Sequence, residues 1–343
     1  MKDFDSVKKL LVAAATNQTI NYQEKSWNGQ DCDIAAREAI ISDLGKDYRS
    51  YRENKNMIFR LIEETIDIVL PTRVFASLGA FADIRTFGNN DSVKFRYKVG
   101  QSRGRAYAIR LAPGGKAEFF RLDEKELTLS TDSRGVAGLI RLEDYLDGKV
   151  SMAEIMNIVL QSLEDQIFMD IQLMLIGTAS DTRPASTVYS SASFSETAMK
   201  SAIRVAGAYG NGSATVFCTL EFAQAMTPTG FQTTQATPYA PTRDPRDVSE
   251  IRDRGWFGKW WGADIVVLPN GFTDESNTEF VLDPKIAYVF PGSTQFPDGK
   301  VVKIGFQGDA VIKEYENRDG SMELQMYKKM VVGVVGALNS WCI

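Results

Sequence analysis

Ser151-Met152-Ala153-Glu154 opens a run to Ile176 in which Glu154, Asn157, Gln161, Asp165 and Gln172 keep a helical stripe while nearly every other position is apolar. The serine and the glutamate three residues on form a capping box, which fixes the start of a helix. About 26 residues at ~1.5 Å each give a length of roughly 39 Å. A helix apolar over most of its circumference must be covered on most sides, so this one is expected to be the spine of the fold, ending at Gly177. Glu154, Glu164, Asp165 and Asp170 interrupt it too often for a membrane span. No other apolar run approaches the ~20 residues such a span needs, and the methionines of the helix read as core filling.

The second constraint is Val93-Lys94-Phe95-Arg96-Tyr97-Lys98-Val99, which alternates between apolar and cationic residues, so a strand here has one greasy and one positive face. Tyr107, Ile109 and Leu111 alternate again, Ala112-Pro113-Gly114-Gly115 signals a turn, and Phe120, Leu122, Leu127 and Leu129 return. The segment is expected to be a long β-hairpin arm. Its charges are segregated: Lys94, Arg96, Lys98, Arg103, Arg105, Arg110, Lys116 and Arg121 precede a stretch carrying Asp123, Glu124, Glu126 and Asp132. A long hairpin is marginal alone in water, and a neighbouring copy is one surface that could cover it.

Around these two features the chain alternates helical and extended patterns, an α+β composition. Residues 1–56 are polar and broken and read as an extended arm, with an amphipathic helix or arm over 1–16. Ile58, Leu61, Ile62, Ile66 and Val69 keep helical spacing up to Pro71, which is expected to end that helix, with Arg60, Glu63, Glu64 and Asp67 on its other face. A Ser/Thr-rich linker at 178–195 leads to a helix at about 195–208, a strand at 214–219 and a short helix after Leu220. Residues 227–247, with Pro228, Pro238, Pro241 and Pro245, form an aperiodic loop expected at an interface. Trp256, Phe257, Trp260 and Trp261 lack interleaved basic residues and read as core or subunit packing. A strand at 263–268, strands near 279–282, 285–290 and 300–306, and two long strands around Asn317-Arg318-Asp319-Gly320 close the chain, the last over 324–338.

Chemistry is bounded by what is missing. The chain has no histidine, which removes His-dependent nucleophilic, acid–base and common zinc sites. No phosphate-binding or dinucleotide glycine pattern occurs. The carboxylate pairs Asp31/Asp33, Glu63/Glu64, Asp123/Glu124 and Glu164/Asp165 could do acid–base work, but 44 acidic residues produce such pairs by chance. Cys32, Cys218 and Cys342 have no disulfide or metal spacing. A formal net charge of −5 argues against coating nucleic acid.

A polar N-terminal arm, a long charged hairpin, a spine helix, a compact mixed unit and long terminal strands, in that order, resemble the Hong Kong 97-type major capsid proteins of tailed bacteriophages. The closest echoes are Met322 to Val335, similar to the family's long last strand, and Gly255–Pro269, similar to its axial-domain strand entry. The resemblance implies an N-terminal arm at 1–56, a peripheral domain at 57–90, 141–193 with the spine helix, and 311–343, an E-loop hairpin at 91–140, and an axial domain at 194–310. It further implies self-assembly into pentamers and hexamers of an icosahedral shell around double-stranded DNA, without sequence-specific binding. Scaffolding and portal proteins would be the partners, no cofactor or membrane would be needed, and assembly in the host bacterial cytoplasm would place the chain in the virion capsid. Subunit-interface candidates are Lys94, Phe95, Arg96, Tyr97, Lys98, Arg103, Arg105, Arg110, Lys116, Asp123, Glu124 and Glu126. Encapsulin nanocompartments share the plan and stay open as an alternative, as do a carboxylate-dependent hydrolase and a carbohydrate-binding or tail-adaptor module built on the aromatic cluster.

Overall fold

The computed structural model describes the chain except residues 1–3, 17, 23–24, 45–47, 80, 100–122, 141–151, 181–193, 210–211, 227–254, 275, 292–299, 317–321, 336–340 and 343. The hairpin tip, the proline loop at 227–247 and the Asn317–Gly320 turn therefore lie outside the described residues.

The N-terminal segment is not an extended arm. Helix α1 (Phe4–Thr16) buries Val7, Leu10, Leu11, Ala14 and Ala15 in the main core, and a short hairpin, β1 (Ile20–Tyr22) with β2 (Lys25–Trp27), leads into α2 (Gly29–Leu44). The polar residues of α2 mislead because its buried stripe is narrow, made of Cys32, Ala36 and Ile40. Lys8 reaches Glu64 at 2.8 Å, where Arg60 also binds at 2.9 Å, tying α1 to α3 (Tyr48–Leu78).

Helix α3 runs through Pro71 instead of stopping there. An interior proline costs about 3 kcal/mol, but Val74 and Leu78, both fully buried, continue the face of Leu61, Ile66 and Leu70. Two such side chains contribute about 1.5–3 kcal/mol each by burial, enough to offset the break.

Strands β3 (Ala82–Phe87), β4 (Val93–Val99), β5 (Asp123–Leu129) and β6 (Asp132–Ile140) precede the spine, α4 (Met152–Ser180). The spine passes Gly177, which lies exposed, and a β-carbon added there would meet nothing within 4 Å. A helical glycine costs about 1 kcal/mol, too little to end a helix whose last packed residue, Leu175, is seated.

The compact unit holds α5 (Glu196–Tyr209), β7 (Ala214–Cys218), α6 (Leu220–Ala225), β8 (Lys259–Trp260), β9 (Ala263–Val267) and β10 (Ala287–Pro291). Phe280 makes only an isolated bridge to Phe272, so the strand expected at 279–282 does not form. Two long strands, β11 (Val302–Glu316) and β12 (Met322–Val334), and the short β13 (Trp341–Cys342) complete the chain.

Two sheets organise these elements. One has the order β3-β11-β12-β6, with β3 parallel to β11 and the rest antiparallel; the other has the order β13-β10-β7-β9-β8. Two assignments made from the sequence shift: β11 belongs whole to the first sheet, and β13 returns to pair with β10 in the compact unit. Helices α5 and α6 cover one face of the second sheet through Met199, Ala202 and Phe222. Its opposite face presents Phe217, tilted against Phe81 at 4.2 Å, and Phe290, stacked on Phe81 at 5.1 Å, and both join the same core as Phe168 and Ile171 of the spine. The spine thus binds both sheets into one core, and Arg134 of β6 grips Asp170 through both carboxylate oxygens at 3.0–3.1 Å.

The acidic side of α3, which looks solvent-facing in sequence, tethers a bulge in β11. The ladder slips between Gln307 and Val311, and Gly308 sits at φ 66°, where a β-carbon would overlap Asn89 Oδ1. Asp67 accepts the Ala310 N–H at 3.0 Å and the Lys328 ammonium at 2.5 Å, and Glu63 accepts the Ile312 N–H at 2.7 Å. Burial pushes the Glu63 carboxyl above its usual range; the Ile312 N–H pulls it back, and Asp67 and Asp309 add to the rise. The folded chain therefore holds this proton more tightly than the unfolded chain does. Glu63 opposes stability above its folded pKa, and the penalty fades as pH falls through that value toward the unfolded one. Glu63→Gln keeps an acceptor for Ile312 and removes the charge. It is expected to raise the thermal midpoint at neutral pH, with an advantage that shrinks on acidification; a pH-independent change would assign the effect to packing.

Candidate functional site

The root of the hairpin is where the unusual alternating segment meets the rest of the chain. Strands β4 and β5 pair antiparallel, with Val93 opposite Leu129, Phe95 opposite Leu127, Arg96 opposite Glu126 and Lys98 opposite Glu124. The apolar side of this pair lies on the outer face of the first sheet, where two glycines leave room. A β-carbon on Gly305 would stand 2.7 Å from Val93 Cγ1, and one on Gly333 would stand 2.6 Å from Leu129 Cδ1. Val93 and Leu129 are cross-strand partners, so the pair sits as two knobs in two glycine seats. Phe95, fully buried, meets Phe87 edge-on at 5.6 Å. Gln307 holds the margins, donating to the Asp91 carbonyl at 2.8 Å and accepting from the Thr131 hydroxyl.

Beneath the root lies a buried ionic cluster. Lys303, with no exposed surface, contacts Asp83 at 3.1 Å, and Asp83 also receives the Arg85 guanidinium at 3.0 Å. The same guanidinium lies 5.7 Å from the centre of the Phe95 ring. Lys303 and Asp83 are direct partners in the β11–β3 ladder, so the charges share one face with Gly305.

These positions correct one expectation and qualify another. The apolar residues Val93 and Phe95 are covered by their own chain's sheet, not by a neighbouring copy, because Gly305 and Gly333 open a seat for them. On the opposite face Lys94 and Arg96 keep more than half of their side-chain surface, yet Glu126 stands 4.0 and 3.7 Å away. The segregation of charge along the sequence thus becomes partial neutralisation across the strand pair. Tyr97, Lys98, Asp123 and Glu124 take paired ladder positions, while Arg103, Arg105, Arg110 and Lys116 lie outside the described residues.

Large apolar side chains remain in solvent on the helices. The spine buries Met156, Leu160, Leu163, Ile167, Ile171 and Leu175 but leaves Ile158, Leu173 and Met174 exposed, the second by 67%, and α3 leaves Phe75 exposed by 62%. Among the described residues, part of the spine's apolar surface is therefore left without cover. Among the described residues no three acidic or thiol groups are placed to hold a metal ion, and no helix is long and apolar enough to cross a membrane. Three of the paired carboxylates bind neighbouring elements: Glu63 and Glu64 tether β11 and α1, and Glu164 accepts the Ser77 hydroxyl at 2.7 Å.

Residues 6–336 match the family described as "SPbeta prophage-derived putative capsid protein YonB". The chain belongs to that family. Membership makes it a phage capsid protein, and the encapsulin reading is not favoured over it. No curated protein matches the sequence. Among solved structures, the capsid-family chain is similar to one from Mycobacterium phage Che8, with 13% identity over 74% of this chain and 85% of that one and a TM-score of 0.44. It is also similar to the virus-like particle from Pyrococcus furiosus (8% identity, 83% and 99% covered, TM-score 0.49) and to the capsid of the native GTA particle (11%, 78% and 89%, 0.46). The capsid-family chain has an α+β architecture with its elements in the order hairpin, spine helix, compact unit, long terminal strands.

Proposed function

We propose that this capsid protein is the major shell subunit, forming pentamers and hexamers of a closed icosahedral shell around double-stranded DNA. Assembly takes place in the host bacterial cytoplasm with scaffolding and portal proteins, and the chain performs no catalysis. In this reading 91–140 is the E-loop, the first sheet with the spine is the peripheral domain, and the compact unit is the axial domain.

The observation that carries the reading is the hairpin root: it is locked to its own sheet on one face and presents Lys94 and Arg96 to solvent on the other. A root so locked holds Lys94 and Arg96 facing outward, which suits repeated weak contacts with a neighbour. Closed symmetry multiplies such contacts. A chain of net charge −5 also suits a wall that must not grip the phosphates it encloses.

The test separates a neighbour from the hairpin's own Glu126. Lys94→Glu with Arg96→Glu is expected to leave the subunit folded, to lower particle yield, and to recover in part with salt. Adding Glu126→Lys restores opposite charges within the hairpin. If the neighbour reads the outer face, yield stays low in the triple variant; wild-type yield there would assign these charges to the hairpin alone and remove them from the interface.

A further inference from the structure

Strand β11 changes partners at its bulge. Up to Gln307 it lies between β3 and β12; from Val311 on, among the described residues, it pairs with β12 alone. An open strand edge is a hazard that folds cover or blunt with charge. Here the N–H groups of Ala310 and Ile312, two residues apart, are taken by Asp67 and Glu63 of α3. Two residues of strand advance about 6.6 Å and four residues of helix about 6 Å, so carboxylates one helical turn apart match alternate N–H groups of a strand. The later carboxylate meets the earlier N–H, and α3 thus continues the edge that β3 leaves at Gln307.

The two carboxylates are unequally held. Asp67 receives the Ala310 N–H on both oxygens and is neutralised by Lys328, which is almost wholly buried and also donates to the Gly308 carbonyl at 2.6 Å. Glu63 receives the Ile312 N–H, and among the described residues no cation contacts it. The charges that face it are Asp67 on its own helix and Asp309 on β11, while Lys328 of β12 is engaged by Asp67. Burial pushes the Glu63 carboxyl up against the pull of the Ile312 N–H, and the two aspartates add to the rise.

We propose that Glu63 and Asp67 form a latch on the distal half of β11, with Asp67 the fixed point and Glu63 the member that releases. The latch belongs to the single subunit and is independent of shell assembly. A neutral Glu63 still accepts the Ile312 N–H through its carbonyl oxygen and no longer repels Asp67 or Asp309. The latch is therefore tightest at acidic pH and loosens as pH rises through the raised folded value. Once it is released, the edge at Ile312 parts from α3 while the half of β11 paired with β3 stays in place.

Amide hydrogen exchange of the full chain, resolved by residue and corrected for the intrinsic effect of pH, tests the latch. The Ile312 amide is expected to lose protection between acidic and neutral pH, while Ile304 and Phe306, in the half paired on both sides, keep theirs. Glu63→Gln should abolish this pH dependence and hold the high protection. Glu63→Ala removes the acceptor and should lower Ile312 protection about tenfold at every pH, leaving Ala310 protected by Asp67. Loss at Ile304 together with Ile312 would make the opening global, and equal loss at Ala310 in Glu63→Ala would remove the fixed point; either overturns the latch. So would an Ile312 amide indifferent to both pH and Glu63→Ala.

Discussion

Asp83→Ala is expected to destabilise the free subunit by about 3–5 kcal/mol, because it strips a fully buried Lys303 of its carboxylate beneath the hairpin root. The partner change should be milder. Lys303→Met leaves Asp83 with the Arg85 guanidinium at 3.0 Å and replaces an ammonium stem with an apolar chain of similar reach. Denaturant unfolding of both variants measures the asymmetry. It should exceed about 1 kcal/mol, and the pair of substitutions together should cost less than Asp83→Ala alone. Equal costs would mean that water reaches Lys303 and that the root does not seal the cluster.

The second large effect concerns the glycine seats. Gly305→Ala places a β-carbon 2.7 Å from Val93 Cγ1 and 3.1 Å from Val331 Cγ1, a crowding expected to cost about 1–3 kcal/mol, and Gly305→Val more. Gly333→Ala should behave alike against Leu129. The decisive comparison is Val93→Ala combined with Gly305→Ala, which removes the opposing methyl as it adds one. Urea midpoints for the two single variants and the double should show coupling of about 0.5–3 kcal/mol, with the double more stable than the sum of the singles predicts. Strict additivity would place Val93 elsewhere and free the hairpin from the sheet.

Both effects arise at positions where the sequence carries little signal. The alternation of Val93 to Val99 predicts a strand with two unlike faces, and β4 is that strand. What covers its apolar face is hidden, since Gly305 and Gly333 act by lacking a side chain and belong to a segment over 200 residues away. The charge segregation is visible, but register decides that Glu126 falls opposite Arg96. The spine helix is legible from its periodicity, and its end is not, because Gly177 lies on an exposed face where the missing side chain costs little packing. Glu63 and Asp67 look like a solvated stripe until the β11 bulge brings two backbone N–H groups to them. The aromatic cluster at 256–261 announces packing, yet only backbone φ separates the buried Trp260 from the strained, exposed Trp261. Local patterns thus give the elements, while the seats, tethers and turns depend on contacts distant in sequence.

Closure of many copies of this chain into a shell is tested most directly by electron microscopy of particles recovered from cells expressing the full chain, alone and with candidate scaffolding and portal proteins supplied. Closed icosahedral particles are expected, with the hairpin of each subunit lying on a neighbour and the helix faces around Phe75 and Leu173 covered. Recovery of monomers alone under both conditions, with Phe75 and Leu173 still open to solvent labelling, would contradict the shell assignment.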